Sequence, residues 1–425
     1  MGIYPSSALA TRVIPGCDVH RWILIIALAS SVLSPAAARD LTEAQAIAAV
    51  LSREDFVTLE EARRAAAQAE VEQAGLPANP TAAVGREGFS SRGAREAETR
   101  LEFTQQIDVA GRRRFAREAA EHRLAATDSE LAGARTDAVA EVRRSFARVL
   151  FRSRVVDALH SAVDRLTSSA KIVNRLARSG ESSGYDRRRV MRELFALRVE
   201  RDTAAAGLAR ERAMLASYVE GSVPEELAPV GALLPAPPPP LDELRAQLRE
   251  RGQLVALQVH AEAADSEVRM SRRGWIPDVT LGLGTRLVET GHGDRDDLTL
   301  SLAVPLPLFD RGQARTKRAV AEREAYRAEH ALQLSRLSGE LNGAWQQASR
   351  LAAAALDYRR DVLGSSHELG RIAQTAYAAG EGGILNIIDA SRTELETELT
   401  SFELDHQARM ARIELDQLAG VNSHD

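Results

Sequence analysis

The chain has 425 residues, 4% aromatic and 27% charged, with a net charge of −5 and a sequence pI near 6.1. That balance argues against a nucleic-acid partner, because the basic runs at 112–114 and 187–189 sit among acids and read as solvated faces. The single cysteine, Cys17, precedes an apolar N-terminal core, so nothing after that core can form a disulfide or a thiolate metal site.

Residues 1–38 read as a secretory signal. Arg12, His20 and Arg21 precede the apolar run at 22–29, and the small residues Ala36 and Ala38 suit cleavage after 38. The run is too short for a membrane anchor. A first structural repeat then spans 39–220. Residues 41–75 predict two helices, broken by Leu76, Pro77 and Pro80, and 81–89 is a strand candidate with mixed faces. In 100–109 the alternation is clean: Leu101, Phe103, Ile107 and Val109 share one face, and Arg100, Glu102, Thr104, Gln106 and Asp108 share the other. With polar, glycine-containing residues 90–99 between them, the two strands predict a hairpin over about 81–109. Gly111 releases the chain into a proline-free helix over about 114–179, Gly180 and Gly184 mark a reversal, and 186–218 returns.

A Pro-rich linker at 221–241 separates this unit from a second repeat, 242–425. After a helix ending near 271, Val279, Leu281, Leu283 and Leu287 line one face of a strand, with Thr280, Gly282, Gly284 and Arg286 on the other. Leu298, Leu300, Leu302, Val304 and Leu306 continue the apolar face of a second hairpin over about 278–306. Beyond Gly312 come about 67 residues without proline, which as one helix would be roughly 100 Å long. Leu334, Leu337, Leu341, Ala344, Ala348, Leu351, Ala355, Tyr358 and Val362 recur at spacings of three and four, the seam of a coiled coil. Gly380 and Gly383 bracket a second reversal, and a helix returns to about 419. Gly312 follows Gly111 by 201 residues, Gly380 follows Gly180 by 200 and Gly420 follows Gly221 by 199, which predicts an internal duplication.

Each strand is long enough to cross a tilted hydrocarbon layer. Four strands cannot close a barrel, and an open edge in lipid is costly, so the pattern predicts oligomerisation with a lipid face and a wet lumen. No catalytic centre is legible. Ser168 and Lys171 have a serine acyl-enzyme spacing without its companion motifs, Gly282 and Gly284 are strand glycines, and the histidines are scattered without ligand spacing. The expectation is a non-enzyme without cofactor or metal site. Asp389, two turns past the second reversal, would form a ring of carboxylates at a helical tip, or else simply stabilise a helix N-terminus.

Several of these features together resemble a known family. The Asn79–Pro80 start, the Gly111-Arg112-Arg113 exit, the Pro-Leu-Pro-Leu-Phe-Asp-Arg-Gly exit at 305–312, and Tyr377 and Gly380 ahead of Leu-Asn-Ile-Ile-Asp-Ala at 385–390 are similar to the TolC-like outer-membrane efflux family. The 305–312 form resembles the CzcC branch, partners of heavy-metal pumps. The resemblance implies an α+β membrane protein: a homotrimer with a twelve-stranded β-barrel, four strands per chain, continued by a long α-helical periplasmic barrel in the outer membrane of a Gram-negative bacterium. It further implies a passive exit duct of a proton-driven tripartite system, with outer-membrane lipid, a periplasmic adaptor and an inner-membrane resistance-nodulation-division (RND) pump as partners. The cargo would be divalent heavy-metal cations. A duct for organic drugs or secreted polypeptides is the alternative, and a non-transporting coiled-coil scaffold is the reading from another class. Asp389, Asn386 and Tyr377 carry over as the periplasmic gate, and the turns at Gly180, Gly184, Gly380 and Gly383 as the adaptor-docking tips. Asn386 stands where the family's first gate aspartate would be, and Gly382 where its locking arginine would be.

Overall fold

The computed structural model describes residues 39–91, 94–180, 183–219, 227–290 and 293–421. The signal segment 1–38 with Cys17, and the opening of the linker from Gly221, lie outside them. A short strand β1 (Arg39–Leu41) leads into helices α1 (Glu43–Leu51) and α2 (Glu54–Gly75). Strands β2 (Thr81–Ser91) and β3 (Ala94–Ile107) follow, then α3 (Arg112–Ser179) and α4 (Gly184–Ala216). The second half runs β4 (Leu227–Pro229), α5 (Leu241–Arg249), α6 (Gly252–Ser271), β5 (Val279–Thr290) and β6 (Gly293–Ala303). It ends with α7 (Gln313–Tyr358), α8 (Gly364–Ala378) and α9 (Ile384–Ala419).

The four long strands form one antiparallel sheet in the order β2-β3-β5-β6. Because partners in register share a face, Phe103, Leu283 and Leu300 stand in one row, and Leu101, Thr285 and Leu298 in the next. These side chains are open: Leu300 is 83% exposed, Phe103 55% and Leu283 56%. An apolar face this bare is not the half of a sandwich. The strands also run further than the sequence suggested. Most of 90–99, expected as a connecting loop, is strand, since Glu96 pairs with Phe89 and Arg95 with Ser90.

Helix α3 is 68 residues long, roughly 100 Å at the usual rise, and runs from the sheet to the far end of the molecule. Near the sheet it packs beside α2 and α6, with α7 against α6; toward the far end it packs beside α4 and α9, with α8 against α9. The helices thus form a layer that has α2 and α7 as its edges near the sheet. The core is spread along this layer. At the middle, Val142, Phe146 and Val149 of α3 meet α1 and α4, while Leu244, Leu254, Leu341 and Leu415 join α5, α6, α7 and α9.

The helix expected from Gly312 to Gly380 is interrupted. Arg359–Leu363 form a π-helical turn between α7 and α8. The coiled-coil seam holds through Leu337, Leu341, Ala344, Ala348 and Ala355, all buried, and then Val362 turns outward. The extra residue of the π turn resets which side faces α9. It lets Arg359 bond the fully buried Asp405 of α9. The sequence also gave no sign of the parallel pair β1–β4, three residues each, which ties the start of the described chain to the linker beside α3.

Candidate functional site

The far end of the molecule is built by two reversals lying side by side. Gly180 (φ 85°) ends α3 and Gly380 (φ 78°) follows α8, both in the left-handed region that glycine adopts without strain. Ser183 caps α4 by accepting from the Asp186 amide, whereas α9 begins at Gly383 with no side-chain cap. A cavity of about 600 Å³ joins the two turns, lined on one side by Ser183, Tyr185 and Asp186 and on the other by Tyr377, Gly380, Gly383 and Asn386. Behind it a shared core holds the hairpins together, with Leu166, Val173, Val190 and Leu194 of the first meeting Ile384, Ile387 and Ile388 of the second.

The predicted gate residues separate into two environments. Tyr377 is buried in that core, edging the cavity with little of its surface. Asn386 and Asp389 are exposed and line an adjoining groove of about 750 Å³ between α4 and α9. Sequence reasoning placed Asp389 at the tip and missed its surroundings. The same groove holds Arg188, Arg189 and Arg192 of α4 and Arg392 of α9. Arg392 pairs with Glu193 at 2.8 Å and Arg189 donates to the Tyr185 hydroxyl at 2.8 Å. Arg188, Arg192 and Asp389 have no ion-pair partner among the described residues. The signal was the basic run 187–189, which reads as a solvated face until α4 is laid against α9.

The other end of the molecule is the sheet. Its polar face carries Glu98 bonded to Arg100 at 2.8 Å, and Arg286 within 3.5 Å of Asp297 and 3.8 Å of Glu98. Where the strands meet the helices, Gln106 donates to Asp278 at 2.7 Å, and Asp278 also pairs with Arg112. One face of the sheet is therefore dressed for water and the other for hydrocarbon. Among the described residues no helix is long and apolar enough to cross a membrane.

The chain is similar to known proteins in sequence and in fold. Residues 244–421 match the model of the family described as outer membrane efflux protein. The chain is 26% identical over 315 residues to the cobalt-zinc-cadmium resistance protein CzcC of Cupriavidus metallidurans, covering 74% of this chain and 75% of that one. The fold matches the outer membrane protein VceC of Vibrio cholerae with a TM-score of 0.71 at 18% identity, over 89% of this chain and 96% of that one. It matches CusC with a TM-score of 0.71 at 17% identity, over 90% and 93%. With a two-faced sheet at one end and paired helical reversals at the other, the chain is similar to outer membrane efflux proteins, in sequence over residues 244–421 and in fold over most of its length.

Proposed function

We propose that the protein is the outer-membrane exit duct of a tripartite, proton-driven efflux system, and that its cargo is divalent heavy-metal cations. The observation that carries the reading is the sheet. Strands β2 and β6 are its two edges and run in opposite directions, so β6 of one copy can pair antiparallel with β2 of the next. Such head-to-tail contacts close into a ring. Two copies would give eight strands, an interior that side chains fill; three give twelve and leave an aqueous lumen. The unpartnered edges of the helical layer close by the same rotation, continuing the β-barrel as a helical one. On this reading the chain is a conduit and not a catalyst, and the two halves of each protomer are copies of one ancestral unit, exported under the direction of residues 1–38.

The remaining assignments follow from position. The reversals at Gly180, Gly184, Gly380 and Gly383 form the end that meets a periplasmic adaptor, which in turn couples to an RND-type pump in the inner membrane. Asp389 and Asn386 lie at the mouth of that end, with Tyr377 packing behind them. The metal cargo is supported by the CzcC relative, itself a cobalt-zinc-cadmium resistance protein. Purified in detergent, the protein should have the mass of three protomers and conduct ions in planar bilayers. A monomer without conductance would sink the duct reading. Deleting the gene should sensitise cells to zinc, cobalt or cadmium, and sensitisation to dyes alone would move the cargo to organic compounds.

A further inference from the structure

The polar face of the sheet is not uniformly charged. Toward the hairpin ends its charges answer one another, Glu98 with Arg100 and Arg286, and Arg286 with Asp297. From Glu102 toward the helices the face is Thr104, Gly282, Thr280 and Ser301, and Glu102 is the one ionisable group on these strands there. Among the described residues it has no arginine or lysine within ion-pair distance.

Its position is built rather than incidental. The Ser301 hydroxyl donates to Oε1 at 2.8 Å, although Ser301 belongs to β6 and Glu102 to β3, with β5 between them. The side chain therefore lies flat across β5, and it does so where β5 carries Gly282. A Cβ at Gly282 would come within 2.8 Å of the carboxylate oxygen and collide with the Ser301 hydroxyl. At Gly284 a Cβ would meet Thr299 Oγ1 at 2.9 Å and the Leu101 carbonyl at 2.6 Å. Glycine inside a strand weakens it and marks a close approach. Here the approach is that of a carboxylate pinned along the wall, its second oxygen left without a protein partner among the described residues.

We propose that Glu102 is the charge-selecting residue of the β-barrel, a ring of three carboxylates that draws cations through the membrane end of the duct and holds back anions. The proposal rests on the barrel reading above and deepens it by locating the selectivity. A carboxylate on a low-dielectric wall around a narrow lumen concentrates counter-ions, and lying flat it does so without narrowing the path.

Reversal potentials in planar bilayers under a salt gradient test this. In Glu102→Gln, which keeps the side chain's size, the cation-to-anion permeability ratio should fall roughly threefold, and Glu102→Asp should keep most of it. Glu102→Cys tests the same point independently, since Cys17 precedes the expected cleavage site: its pores should lose the preference and regain it on labelling with a negatively charged thiol reagent. Conducting pores of either neutral variant with the wild-type ratio overturn the proposal and leave the duct reading standing. A wild-type protein that never conducts overturns the duct reading and the proposal with it.

Discussion

The two ends of this molecule are charged by different means. At the sheet, strand register decides which side chains meet, so acids and bases on the polar face pair across strands and leave Glu102 without a basic partner among the described residues. At the tip, no register links α4 to α9; their charges meet because α3 and the apolar core bring two returning helices together, and Arg188, Arg189, Arg192 and Arg392 gather around Asp389. A carboxylate's influence on ions depends on the cations beside it as much as on its position along a path. By that measure the acid in the sheet counts for more than the acid at the tip.

The largest effect should come from spoiling the open face of the sheet. Leu300→Arg puts a guanidinium on the mid-strand apolar row, at about 2–4 kcal/mol per copy in the middle of a bilayer, so the proposed trimer should no longer be recovered from the outer membrane. Thr299→Arg, one residue earlier, points to the polar face and should assemble. If both variants assemble equally, the assignment of faces is wrong and the contrast between the ends goes with it.

Next in size is the junction between the ends. Arg143 of α3 is buried against Glu43 of α1 and Asp416 of α9, each at 2.9 Å. Burial opposes its charge, but the two carboxylates outweigh burial and hold its pKa above the ordinary value. Arg409 also reaches Glu43, and Arg412 reaches Asp416 at 2.8 Å. Arg143→Met should destabilise the fold by about 1–3 kcal/mol, because it leaves each of the two buried carboxylates with one arginine in place of two. Thermal unfolding reads this directly. Adding Asp416→Asn should cost less than its effect alone, and the pore's ion preference should not move, since the junction holds the helices and touches neither Glu102 nor Asp389.

Much of this architecture was legible in the sequence, for physical reasons that also mark where legibility stops. Period-two alternation exposed the faces of β3, β5 and β6, because each residue's side is fixed by its neighbour's. The absence of proline exposed the long helices, and glycines exposed the reversals at Gly180 and Gly380. What stayed hidden was whatever depends on partners distant in sequence. The π turn at Arg359 brings that residue to the buried Asp405, 46 residues later. The groove around Asp389 draws on a basic run about 200 residues earlier. Glu102 read as one polar residue among several on its face until β3, β5 and β6 were aligned, when Gly282 and Ser301 fell beside it.

A smaller effect should be seen with pH, again at the junction. The His406 ring stacks on Phe151 with centroids 4.5 Å apart, and burial pushes its pKa below the ordinary 6.5. Its folded value is therefore below its unfolded one, so its contribution to stability is present above pH 6.5 and is lost as the pH falls through the folded value. Asp405 has the opposite sense: burial raises its pKa despite the bond from Arg359, so its contribution is present below 3.8 and is lost as the pH rises through the folded value. Unfolding temperatures should fall between neutral pH and mild acid by less than Arg143→Met lowers them. His406→Phe should remove the histidine's part of that slope; an unchanged slope would assign it to other groups.

The smallest expected effect is at the residue that position alone would rank first. Asp389 is exposed at the tip, where a ring of carboxylates would favour cations, and Asp389→Asn should indeed weaken cation preference. The shift should nonetheless be less than that of Glu102→Gln measured in the same bilayers. Arg188 and Arg192, which have no ion-pair partner among the described residues, line the groove with Asp389, so its single negative charge is a minor part of a field that is already mostly positive. The converse variant makes the point stronger: Arg192→Gln should raise cation preference while leaving Asp389 in place. If Asp389→Asn instead outweighs Glu102→Gln, the four arginines are screened in the assembled duct, and selection sits at the tip.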